Sequence, residues 1–188
     1  MEEVVLYIDT CTKYMCVGLS VEDKLVYKKQ YEAFKRQSEV AALEIDKCLK
    51  ETSIRASQLT KIVVTNGPGS YTGIRIGLTL AKVMAKVLNI NLVCLSSLQA
   101  LCGKEDLSAI IDARSSRVYY GKYCNGVSIV GDCVKNLSEL DMNENYVGDL
   151  YVINKEEKEI DIINNMFNLR FIDSVNDVDS VRAIYLKD

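Results

Sequence analysis

Sliding the sequence along itself by 103 positions lays Ile8-Asp9 over Ile111-Asp112 and Gly18 over Gly121. In each copy a short apolar run stops at an aspartate and a hairpin follows, so the local pattern repeats together with the identities. A duplication of this kind calls for two related lobes, each opening on a buried strand. The first copy begins with Val4-Val5-Leu6-Tyr7-Ile8, closed by the polar loop Asp9-Thr10-Cys11-Thr12, and continues as a hairpin over 14–21 and 24–31 about Glu22-Asp23. Ser38 is placed to cap a helix over 38–51 that gathers Ala41, Ala42, Ile45, Cys48 and Leu49 on one face. A strand at 61–65, a glycine-bearing loop at 66–70 and a long helix over 72–88 follow. A short strand at 92–95 and a helical piece at 97–101 close the copy. The second copy, restarting at Ser108, is reduced to a hairpin, an acidic stretch over 137–146, a strand near Tyr151 and a helix over 155–167. The expected architecture is α/β with lobes at 1–104 and 105–188.

The 188 residues contain no histidine, which removes Ser-His-Asp and Cys-His catalysis, HExxH zinc sites and facial-triad iron sites. The seven cysteines, at 11, 16, 48, 94, 102, 124 and 133, include no CxxC pair, so they read as small apolar residues in a reducing compartment. Net charge is -3, against a basic glove for nucleic acid; residues 1–104 carry 14 basic and 10 acidic side chains and residues 105–188 carry 9 and 16, a difference that reads as solvated faces. The start MEEVVLYID lacks the basic region of a secretory signal, and the longest uncharged stretch, 87–103, is interrupted by Asn89, Asn91, Ser96, Ser97 and Gln99. The expectation is a cytoplasmic protein without membrane contact.

Asn66-Gly67-Pro68-Gly69-Ser70-Tyr71-Thr72-Gly73 joins a strand to a helix, where backbone N–H groups favour an anion. It is not a P-loop, because Ile74-Arg75 follows the last glycine in place of Lys-Ser/Thr, and its spacing misses the dinucleotide fingerprint by one residue. A phosphate cradle and a tight turn that lets the helix pack closely both fit. In the helix, Arg75, Thr79, Lys82 and Lys86 form one narrow polar stripe, whereas Gly73, Gly77, Ala81 and Ala85 recur every fourth residue as a shallow ridge. With Leu80 and Met84 beside it, that ridge suits either burial within the chain or close approach by a partner's helix. Asp9 and Asp112, with Thr10, Thr12, Gly67 and Gly69, are the residues expected to face a nucleotide if a cleft lies between the lobes. Turn chemistry is the plainer explanation of an aspartate at a strand's end.

Ile8-Asp9-Thr10, the run from Asn66 through Leu78 to Ala81-Lys82, Ser96-Ser97-Leu98 and Ile111-Asp112-Ala113-Arg114 with Val118-Tyr119 closely resemble the TsaB family of bacterial tRNA threonylcarbamoyladenosine biosynthesis proteins. The match in order and spacing covers 4–124. The resemblance implies an actin/Hsp70-like (ASKHA) fold of two ribonuclease-H-like lobes, the second one reduced. It also implies a non-catalytic paralogue of the transferase TsaD, activating that enzyme as a heterodimer through a helical bundle made by the helices at 38–51 and 72–88, with a TsaE-like ATPase joining the assembly. Cofactors of its own are then none, ATP and Mg²⁺ belonging to the assembled complex, and tRNA is met only through the complex; a homodimer of the free chain is left open. Two departures stand out. Gln37-Ser38 replaces the family's common His-Ser, and only Tyr185-Leu186-Lys187 matches its closing motif.

The leading expectation is therefore an accessory subunit with no catalytic residues. Its partner surface is expected at Ala41, Ala42, Ile45, Cys48, Leu49, Gly73, Gly77, Leu80, Ala81, Met84 and Ala85. The rivals are a small ASKHA phosphotransferase or ATPase using Asp9 or Asp112 with Mg-ATP, and a direct tRNA binder acting through Arg75, Lys82 and Lys86.

Overall fold

The computed structural model describes residues 2–33, 36–173, 175 and 177–186. In the first half, β1 (Val4–Asp9), β2 (Tyr14–Val21) and β3 (Lys24–Glu32) form an antiparallel meander. β4 (Lys61–Thr65) and β5 (Asn91–Leu95) add in parallel on the other side of β1, giving the order β3-β2-β1-β4-β5. In the second half, β6 (Leu107–Arg114), β7 (Arg117–Cys124), β8 (Val127–Asn136) and β9 (Tyr146–Gly148) repeat this plan as β8-β7-β6-β9, without a fifth strand. Two sheets of the same winding, one curtailed, give the actin/Hsp70-like fold and account for the repeat of 103.

The central strands explain themselves by composition. β1 is buried along its whole length, as an apolar run between two neighbours must be. α1 (Gln37–Glu51) and α2 (Tyr71–Leu88) cover one face of the first sheet, where Leu6, Ile8, Ile62 and Val64 meet Ala41, Ile45, Leu78 and Ala81. The opposite face carries Val5, Tyr7 and Val63, and these share a core with Ala109, Ile111 and Tyr119 of the second sheet. Two short helices fill that core. α4 (Ile162–Asn168) lies against β1–β3, and α3 (Ser97–Cys102) lies against β6 and β7. The repeated glycines are both in crowded positions: a Cβ on Gly18 would collide with the Ile163 side chain of α4, and one on Gly121 would stand 2.6 Å from Asp132 Oδ1, with Leu98 of α3 at 3.3 Å.

Three local expectations are corrected. α1 begins at Gln37 after Arg36, which makes no side-chain capping bond, and Ser38 lies exposed inside the first turn. No strand forms at Tyr151: the parallel strand is β9, and Leu150–Ile153 is a 3-10 turn. The ladder ends at Asp149, whose N–H still donates to the Ile110 carbonyl but whose carboxylate takes the Asp112 N–H at 2.9 Å in place of a further backbone acceptor. The helix expected over 155–167 is confined to α4. Its N-cap is Asp161, whose carboxylate accepts from Asn164 N at 3.0 Å, and residues 155–160 run irregularly before it.

The chain's last described segment returns to the first sheet. Val175 N donates to Leu92 O at 2.7 Å and Ile184 N to Asn66 O at 2.8 Å, so the segment lies beside β5, the sheet's edge. Val181 enters the core between α2 and that edge, shielding it from solvent. Of the expected closing motif, Tyr185 and Leu186 are described and Lys187 lies outside the described residues.

Candidate functional site

Two surfaces invite function. One is a cleft of about 700 Å³ between the sheets. The other is a shallower groove of about 450 Å³ between α1 and α2. Tyr71, the first residue of α2, lines both.

The first lobe supplies to the cleft the β1–β2 turn and the glycine loop: Thr12, Lys13, Gly69 and Tyr71. The second supplies Asp112, Tyr119, Asp149 and Tyr151, and the returning tail adds Ile184 and Tyr185. Of the two aspartates read as nucleotide-facing, only Asp112 is there. Its Oδ2 accepts from Tyr151 OH at 3.0 Å and lies 3.2 Å from Arg114 Nη1. Asp9 is fully buried, accepting from Thr65 OH at 2.5 Å, Thr12 OH at 2.8 Å and Cys11 N at 3.1 Å. Burial pushes its carboxyl above the ordinary 3.8, against the pull of those donors. Asp9 therefore ties β1 to β4 and to the following turn.

The glycine loop is equally committed. Ser70 N donates to Cys11 O at 2.8 Å, Gly73 N donates to Ser70 Oγ at 3.2 Å, and Gly69 packs on the Cys11 carbonyl too closely for any side chain. Gly67 lies under the Ile184 carbonyl, 2.6 Å from where a Cβ would stand. Of the two readings of this loop, the tight turn is the one its geometry bears. Of the loop's amides, those of Asn66, Ser70 and Gly73 are bonded within the chain, Asp9 is enclosed, and the cleft wall has three carboxylates (Glu32, Asp112 and Asp149) against two cations, a lining that does not favour a polyphosphate. Among the described residues no group of three acidic or cysteine side chains is arranged to hold a metal ion.

On the helical surface, the expected ridge faces inward. Gly73, Gly77, Ala81 and Ala85 are all buried, and Thr10 fills the space above the first two, its hydroxyl donating to Gly73 O at 2.6 Å. Ala41, Ile45 and Cys48 are likewise turned toward the sheet. Among the eleven residues expected at the partner surface, Ala42 is exposed, and Leu49, Leu80 and Met84 are partly so. The outward apolar stripe of α2 is Ile76, Leu80, Val83 and Val87, with Val83 57% and Val87 78% exposed, and α1 adds Leu43 at 58%. Leu43, Val83 and Val87 lie outside the eleven residues expected at the partner surface. Their signal was the spacing of 76, 80, 83 and 87, the same i, i+4, i+7, i+11 pattern as the polar stripe one position earlier. That polar stripe is partly spent within the chain: Lys82 Nζ reaches the Val181 carbonyl at 3.0 Å, and Lys86 pairs with Asp179 at 2.6 Å.

A family model described as TsaD, tRNA N6-adenosine threonylcarbamoyltransferase, matches residues 30–180. A Bacillus subtilis protein, tRNA threonylcarbamoyladenosine biosynthesis protein TsaB, is 37% identical over 124 residues, which is 63% of this chain and 54% of that one. The chain therefore spans about half the length of that relative. A Mycoplasma pneumoniae protein described as the uncharacterized MG208 homolog is 28% identical over 97% of this chain and 94% of its own. Among solved structures, YeaZ from Pseudomonas aeruginosa superposes with a TM-score of 0.80 at 20% identity, covering 98% of this chain and all of that one. No helix among the described residues is long and apolar enough to cross a membrane.

Proposed function

Because the chain belongs to the family described as TsaD, tRNA N6-adenosine threonylcarbamoyltransferase, and is a TsaB-type member of it, we propose that it serves tRNA threonylcarbamoyladenosine formation as an accessory subunit. In this reading it carries no catalytic residues. It docks a TsaD-like transferase on the α1–α2 face, keeps that enzyme in its active form and meets tRNA only through it. A TsaE-like ATPase joins the pair, and ATP and Mg²⁺ belong to the assembly. The 1–104 lobe supplies the docking helices and the 105–188 lobe the smaller sheet.

The observation that carries this proposal is the outward stripe Ile76, Leu80, Val83 and Val87 beside Leu43 and Ala42, on a helix that already satisfies the sheet with its other face. Exposed aliphatic side chains in one line on a rigid helix, flanked by a groove, are what a second helix pair covers. The stripe replaces the glycine ridge as the proposed contact. The rival phosphotransferase would use Asp9 or Asp112 with a loop that cradles phosphates. Asp9 is enclosed, Asp112 lies in the cleft but is paired with Arg114 and Tyr151, and the glycine loop is held as a tight turn against the Cys11 carbonyl, which favours the accessory reading. The direct tRNA reading draws on Arg75, Lys82 and Lys86, two of which are occupied by the tail.

The test is reconstitution of threonylcarbamoyladenosine on tRNA with a TsaD-like transferase and a TsaE-like ATPase, with and without this chain. Formation that requires the chain, is lost with Val83→Asp and survives Asp112→Asn supports the proposal. Formation that proceeds equally without the chain overturns it.

A further inference from the structure

The interlobe cleft has a composition that neither its glycine loop nor the docking face explains. Four tyrosines from four separate elements line its walls, and beside the buried Tyr119 three are well exposed: Tyr71 is 59% exposed, Tyr151 53% and Tyr185 48%, with Tyr71 and Tyr185 centroids 5.1 Å apart. Its two cations are already matched. Lys13 is ion-paired with Glu157 and lies 3.6 Å from Glu32, and Arg114 is paired with Asp112. Asp149 has no ion pair among the described residues; the one hydrogen bond assigned to its carboxylate comes from the Asp112 N–H. An anion entering the cleft would find matched cations and an excess of carboxylates. A cation would find ring faces and a carboxylate.

We propose that the cleft is a receptor for an organic cation, namely an arginine-bearing extended segment of a partner polypeptide, whose guanidinium lies between the Tyr151 ring and the Asp149 carboxylate. The volume suits a few residues of extended chain rather than a lone ion. A guanidinium is the cation whose planar, weakly hydrated form stacks on a ring and donates to a carboxylate at once. This site is separate from the α1–α2 face except at Tyr71, so its occupant and the docked paralogue are not alternatives.

The experiment follows backbone amide shifts of the chain during titration with a blocked glycine–arginine pentapeptide, its glutamate counterpart, and Mg-ATP. The arginine peptide is expected to shift the amides of Asp149, Tyr151 and Tyr119, and its affinity to fall about tenfold in Asp149→Asn and in Tyr151→Ala. Tyr151→Phe keeps the ring and is expected to keep the affinity, which separates a lost stacking surface from a lost fold. Three results would overturn the proposal: no shift at millimolar arginine peptide, equal or stronger occupancy of the same residues by the glutamate peptide or Mg-ATP, or arginine-peptide affinity indifferent to both substitutions.

Discussion

The Thr10 hydroxyl stands where a Cβ on Gly77 would go, and at the same time donates to the carbonyl of Gly73 one turn earlier. One side chain at the end of β1 thereby fixes how closely α2 approaches the sheet and which way α2 turns. With its small residues held inward, the helix turns the Ile76–Val87 stripe outward, beside the exposed Arg75 and Thr79.

Gly77→Ala is expected to destabilise the chain by ~1–3 kcal/mol through overpacking against Thr10. Thr10→Ala in the same molecule should recover part of that loss, giving a favourable coupling in a urea-denaturation double-mutant cycle. Additive losses would mean that Gly77 does not meet Thr10.

A second close relationship joins the halves. Arg170, 3% exposed, donates from Nη2 to Asp23 Oδ1 at 2.5 Å and from Nη1 to the Phe167 carbonyl, with Phe167 and Phe171 rings 3.9 and 4.1 Å from its guanidinium carbon. Asp23 is almost fully exposed, so its share of the pair is weak. Asp23→Ala should cost under ~1 kcal/mol, whereas Arg170→Ala, which also removes the buried packing between two rings, should cost about 2–4 kcal/mol in thermal or urea unfolding. Equal losses would place the energy in the ion pair instead.

Asp9 predicts a pH dependence. Its folded carboxyl titrates above the unfolded value near 3.8, so the folded state holds the proton more tightly than the unfolded chain does. Between those two values stability falls as pH rises, and above the higher one it is level. Asp9→Asn removes this titration. The difference in unfolding free energy between the natural chain and Asp9→Asn should therefore shift against the natural chain on going from about pH 3.5 toward neutrality. A difference that moves the opposite way would show that Thr65, Thr12 and Cys11 outweigh burial.

Much of this molecule was legible from local pattern. The hairpins, β4, the glycine loop and α2 follow from apolar runs, turn residues and spacing, although α2 starts at Tyr71, one residue before the expected 72, with Ser70 as its cap. The orientation of α2 was not. Small residues at every fourth position favour a close neighbour without saying whether that neighbour is another helix or the chain's own β1 turn, and Thr10, more than sixty residues away, decides it. The occupation of Lys82 by the Val181 carbonyl spans a separation of 99 residues and leaves no mark nearby. Asp149 and Tyr151 escaped because β9 is only three residues long, too short for an alternation to show.

The central claim is that the α1–α2 stripe binds a TsaD-like paralogue. Light scattering on a size-exclusion column, run on this chain with that partner, tests it most directly when Val83→Asp is compared with the natural chain. Val83 is more than half exposed, so the substitution should leave the chain's own unfolding transition unchanged. The natural chain is expected to elute with the partner at the summed mass, and Val83→Asp to bind at least about tenfold more weakly and elute apart. A complex that forms equally well with Val83→Asp, or no complex with the natural chain at micromolar concentrations, would contradict the claim.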